Sequence, residues 1–107
     1  MAQSALQIQL DYNNAIRQAE ALKEAAGELR RTADGELQDC IAEISRNWSG
    51  ENSAAYRNKC SALQEKIRKS AARLDKTADT IRQIAKNTYD AEMRAVRIAV
   101  IRKYSGS

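Results

Sequence analysis

Residues 56–95 read YRNKCSALQEKIRKSAARLDKTADTIRQIAKNTYDAEMRA, and within them Tyr56, Cys60, Leu63, Ile67, Ser70, Leu74, Thr77, Ile81, Ile84, Thr88, Ala91 and Ala95 fall at strictly alternating four- and three-residue steps. Such steps keep one stripe on one side of a helix that turns every ~3.6 residues. A strand would require a period of two, so the segment is predicted as a long helix, helix 2, over about 52–103.

Upstream lies Arg46-Asn47-Trp48-Ser49-Gly50-Glu51-Asn52-Ser53, the segment richest in turn and cap residues. Ser49 is a candidate N-cap for helix 2, with Glu51 in the first turn at the positive end of the helix dipole, and Gly50 permits close backbone approach. Further upstream, Ile8, Tyr12, Ala15, Ala19, Leu22, Ala26, Leu29 and Ala33 repeat the same alternation and predict helix 1 over about 4–46. Past Ala33 the stripe continues as Leu37, Ile41, Ile44 and Trp48, which amounts to a stutter in the heptad. Gly35 sits there and is a point at which the helix can bend, although a lone interior Gly more often costs ~1 kcal/mol and changes nothing else.

A turn at 47–51 between two such helices makes an antiparallel hairpin whose facing residues have numbers adding to about 100. The stripes then meet: Leu37 faces Leu63, Ala33 faces Ile67, Ala26 faces Leu74, Leu22 faces Ala78, Ala19 faces Ile81, Ile16 faces Ile84 and Tyr12 faces Thr88. In four of these pairs an alanine meets a larger aliphatic residue, which lets two helices approach closely. Leu22, Leu29, Leu37, Ile44, Leu63, Ile67, Leu74 and Ile81 are the expected hairpin and dimer core. Cys40 and Cys60 also add to 100 and are expected across the hairpin at core-facing positions. They are either a disulfide closing a loop of about 20 residues, worth roughly 3 kcal/mol, or two buried reduced thiols.

The whole chain of 107 residues is expected to be one all-α domain. Pro and Phe are absent and 30% of residues are charged, a long-helix composition. Two helices alone leave part of each apolar stripe uncovered, so a partner is expected. Residues 1–50 carry five Lys/Arg against eight Asp/Glu, and residues 51–107 carry thirteen against six. Opposite signs on the two halves favour antiparallel pairing, and a homodimer is preferred to a heterodimer with a related hairpin. The cations of Lys66–Lys76 are spread around a helix with few aromatics beside them, which argues against nucleic-acid binding. With no His and no nucleophile or carboxylate cluster in a turn, neither enzyme activity nor a metal or other cofactor is expected. The first residues show no basic and apolar leader pattern, and no run approaches the ~18 apolar residues of a membrane span.

Trp48-Ser49-Gly50 near the midpoint of two heptad-patterned helices resembles the WXG family of early-secreted-antigen-like (Esx-type) substrates of type VII secretion. The resemblance spans essentially the whole chain. It implies a helical hairpin with Trp-x-Gly in its turn, dimerisation into a four-helix bundle, and export without a cleaved signal peptide from the cytoplasm of mycobacteria, other actinobacteria or Firmicutes. The exported protein then acts as an effector or as the export partner of a larger effector. It also implies a composite export signal, with Trp48 and Gly50 of one subunit beside a C-terminal Tyr-x-x-x-acid motif of the other. Here Tyr89-Asp90-Ala91-Glu92-Met93 departs from that motif by placing Glu92 three residues after Tyr89. Both spacings leave the pair on one helix face. From Val96 onward, Arg94, Arg97, Arg102 and Lys103 alternate with Val96, Ile98, Val100, Ile101 and Tyr104, a tail suited to a partner protein, the secretion ATPase or an anionic membrane. The alternative reading is an intracellular coiled-coil adaptor or assembly subunit in which Trp48–Gly50 is only a tight turn.

Overall fold

The computed structural model describes residues 4–105. They form α1 (Ala5–Arg31), a π-helical turn (Thr32–Glu36), α2 (Leu37–Asn47) and α3 (Glu51–Ser105), with no strand among the described residues. Ser4 starts α1 by accepting the Gln7 backbone N–H on its Oγ at 3.1 Å, and its carbonyl accepts the N–H of Ile8 at 3.0 Å. A serine followed three residues later by glutamine is a start signal of the capping-box type.

The chain divides into two compact units: Leu22–Lys76, here the link unit, and Met1–Ala21 with Thr77–Ser107, the terminal unit. In the link unit the end of α1, the π turn and α2 run antiparallel to the first half of α3. Arg30 reaches Asp75, two N–H groups of Arg68 converge on Asp34 Oδ1 at 2.9 and 2.7 Å, and Gln64 bonds to Ala33. In the terminal unit Tyr12 and Tyr89 stack with ring centres 5.1 Å apart, and the Tyr89 hydroxyl donates to Gln9 Oε1 at 3.2 Å. Partners in both units have numbers adding close to 100.

Alanines form the inner seam. Ala19, Ala26 and Ala33 are fully buried at intervals of seven on one side, and Ala71, Ala78 and Ala85 are buried at the same interval on α3. Ile8, Ile44 and Ser53 are buried as well. Of the expected core, Ile44 is buried, while Leu22, Leu29, Leu37, Ile67, Leu74 and Ile81 are half-buried flanks. Leu63, expected opposite Leu37, is 46% exposed in the single chain and so lies outside the hairpin core. The covered side of α3 runs through Cys60, Gln64, Ile67, Ala71, Leu74, Ala78, Ile81 and Ala85, which shares one edge with the predicted stripe and replaces the other. Small residues take the contact line because they let the backbones approach, and the bulkier edge at 63, 70, 77 and 84 turns outward.

The stutter becomes a π turn. From Ala19 to Ala33 the stripe steps by three and four, but Ala33 to Leu37 is followed by another four, one residue too many. At ~100° per residue that extra residue would swing α2 off the seam. The turn Thr32–Glu36 absorbs it: the Leu37 backbone N–H bonds to the Thr32 carbonyl, five residues back, and Ile44 returns to the buried side. Gly35 lies inside this turn.

Gln64 fills the position of the α3 seam one heptad before Ala71, and it is 5% exposed. Its Nε2 donates to the Ala33 carbonyl at 2.7 Å and to Gln38 Oε1 at 3.0 Å, so it ties the π turn and the start of α2 to α3. Removing a buried partner of this kind costs about 1–3 kcal/mol, so Gln64→Ala is expected to lower the unfolding free energy by that amount in urea titration. Deleting Gly35 restores unbroken three-and-four steps from Ala19 to Trp48. That variant is expected to keep its helicity and melt no lower than the parent, whereas deleting Gly27 rotates one side of the seam away from the other and costs at least about 2 kcal/mol in the same melts.

Candidate functional site

The link Trp48–Gly50 joins α2 to α3. Trp48 leaves the helix with extended backbone (φ −115°, ψ 146°) while its N–H still bonds the Ile44 carbonyl at 2.9 Å. Gly50 follows with φ +93°, a left-handed conformation that a side chain disfavours, and its carbonyl accepts the Ala54 N–H to start α3. The tie across this link comes from Ser53 in place of the expected cap Ser49: the buried Ser53 hydroxyl donates to the Trp48 carbonyl at 3.4 Å, and Ser49 is exposed. The link therefore holds Trp48 in a defined direction.

That direction is outward. Trp48 is 51% exposed and packs edge-on against Tyr56, ring centres 5.4 Å apart at 84°. Nearby in sequence, the Nε of Arg57 is enclosed without a hydrogen-bond acceptor among the described residues. A half-exposed aromatic pair can receive an apolar group from another chain.

Tyr89 and Glu92 come together in the terminal unit. With Ile8, Asp11, Tyr12 and Ile84 they line an open groove of about 280 Å³, and both are half-buried. The three-residue spacing thus places the ring and the carboxylate on one surface. Trp48 and Gly50 belong to the link unit, so the four residues expected to carry the export signal are divided between the two units.

The cysteines do not bridge. Both are free, Cys60 is half-buried, and Cys40 is exposed, which corrects its expected core-facing position. Cys40 lies seven residues after Ala33 and would sit on the seam of an unbroken α-helix. The π turn gives that place to Ile41 instead. The described residues contain no group of three His, Cys, Asp or Glu able to hold a metal ion.

One feature beyond the predicted signal is a row on α3. Tyr56, Leu63 and Ser70 in the link unit and Thr77, Ile84, Ala91 and Ile98 in the terminal unit recur every seven residues, and all are exposed. Ile84 is 59% exposed. The sequence pattern contained this row but assigned it to the inside of the hairpin.

No family model, curated protein or solved structure matches the chain. Chemistry therefore has to be read from these surfaces. Substituting Tyr89→Ala removes the ring stacked on Tyr12 and is expected to cost about 0.5–1.5 kcal/mol in thermal melts, with Tyr89→Phe near the parent because only an exposed hydrogen bond is lost.

Proposed function

We propose that the chain is a WXG-type, early-secreted-antigen-like protein that self-associates through the exposed row of α3 and is exported by a type VII secretion system. It acts outside the cell or as the export partner of a larger effector. The observation that carries the reading is the outward Trp48: the link spends a positive-φ glycine and a buried serine to present an aromatic ring that the core does not use. An export machine or partner subunit recognising that ring explains its placement, since half-exposed aromatics are preferred anchors of protein contacts.

Self-association follows from the row of heptad positions. Fully burying a Leu or Ile contributes about 1.5–3 kcal/mol, and Leu63 and Ile84 together with Tyr56 and Ile98 offer that gain only to a second chain. Two copies joined there make a four-helix bundle of coiled-coil type. A heterodimer with a related hairpin would use the same row.

Two measurements test this reading. Light scattering on the purified chain is expected to give a mass near twice 11.9 kDa, and Ile84→Glu is expected to return it to a monomer without loss of helicity. Trp48→Ala is expected to cost only about 1 kcal/mol, while the exported fraction falls by about tenfold or more in a bacterium carrying such a system. Export that survives the Trp48 change, with the dimer intact, would remove that ring from the signal, and absence of export of the parent chain would favour the intracellular assembly subunit instead.

A further inference from the structure

Every residue of α3 from Arg97 to Ser105 is exposed. These turns hold Ile98, Val100 and Ile101 in the open, with Ile101 62% exposed. Arg94, Arg97, Arg102 and Lys103 lie among them, and Glu92 is the last acidic residue of the sequence. Short helical segments without tertiary cover are marginal in water, and exposed aliphatic side chains in a row mark a contact surface.

We infer that this segment is an interfacial anchor that lies on an anionic phospholipid surface. At ~100° per residue, Val96, Val100, Tyr104, Ile101 and Ile98 succeed one another round more than half of the helix circumference, with Arg94 and Arg97 inside that arc. A partner helix covers a narrower stripe, and it would enclose both guanidinium groups in an apolar seam, where unpaired charge is costly. A lipid interface accepts the same arrangement. The arginine stems lie along the acyl boundary while their heads rise to the phosphates.

The rest of the circumference carries Ala95, Ala99, Arg102 and Lys103, so no carboxylate faces the headgroups. Charge of one sign selects the lipid: each cation held near an anionic leaflet adds attraction, and the same cations gain nothing at a neutral surface. Among the described residues no helix is long and apolar enough to cross a membrane. The segment therefore fits lying on the surface. This anchor does not use Trp48, and it shares only Ile98 with the heptad row of α3, so it does not depend on the export reading.

The test is co-sedimentation of the full chain with phosphatidylcholine vesicles, with or without about 30% phosphatidylglycerol, at about 0.1 M and 0.5 M salt. Binding is expected on the anionic vesicles at low salt, about tenfold or more weaker on neutral vesicles and at high salt. Replacing the four cations, Arg94→Gln, Arg97→Gln, Arg102→Gln and Lys103→Gln, is expected to abolish the preference. Val100→Ser with Ile101→Ser, both outside the heptad row, is expected to remove binding at unchanged helicity by circular dichroism. Absence of binding, equal binding to both vesicle types, or binding that neither variant alters overturns the inference. So does a variant that changes the solution mass while leaving vesicle binding intact, since the segment would then be a protein contact.

Discussion

Close approach of two helix backbones along a line of alanines is the constraint on which the packing depends. Ala19, Ala26 and Ala33 on one side and Ala71, Ala78 and Ala85 on the other are all buried, while most larger aliphatics beside them are half-covered. Alanine contributes little area of its own, so stability comes from the dispersion contacts that short separation permits and from the flanks that close over the seam. The arrangement fixes which side chains can lie inside. Leu63 and Ile84 are too large for the contact line, and they turn outward where a further chain can reach them.

A seam of small residues has little to define its register, because one alanine resembles the next. Polar contacts at the π turn supply that definition. Gln64 binds the Ala33 carbonyl and Gln38, and Arg68 holds Asp34 two residues away from the turn's start. Sliding α3 by one heptad would leave Gln64 facing alanine with its amide unmatched, a penalty larger than any gain from re-pairing methyl groups. The extra residue near Gly35 thus marks the site where register is set, and it also decides that Ile41 takes the place that Cys40 would hold on an unbroken helix.

Much of this was legible in the residues. Alternating steps of three and four located both long helices, the turn signals located the link, and the sum near 100 describes the pairs Tyr12–Tyr89, Lys23–Asp75 and Asp34–Arg68. The side of α3 was not legible by the same rule. Periodicity ranks a leucine above an alanine, so it placed Leu63 and Ile84 inside, although Gln64, Ala71, Ala78 and Ala85 also recur every seven residues. A heptad of alanines was the available signal for a close seam. The same rule sets Trp48 on the apolar stripe of helix 1, whereas the backbone is extended at its own position, Gly50 beyond it is left-handed, and the ring is 51% exposed. The stutter was visible, but a bend and an inserted π turn satisfy the same spacing, and only hydrogen bonding distinguishes them.

The surfaces left over differ in pattern, and the two proposals rest on that difference. Tyr56, Leu63, Ser70, Thr77, Ile84, Ala91 and Ile98 keep a strict interval of seven, and the polar members are small hydroxyl residues that a second helix can pack against without burying charge. Beyond Glu92 the pattern changes. Aliphatic residues spread around the helix and arginines stand between them, so no single stripe can be buried without trapping a cation. Ile98 belongs to both patterns and lies where they meet. A chain that pairs through the first surface and rests on lipid through the second satisfies both with one continuous helix, and neither contact competes for the outward ring of Trp48.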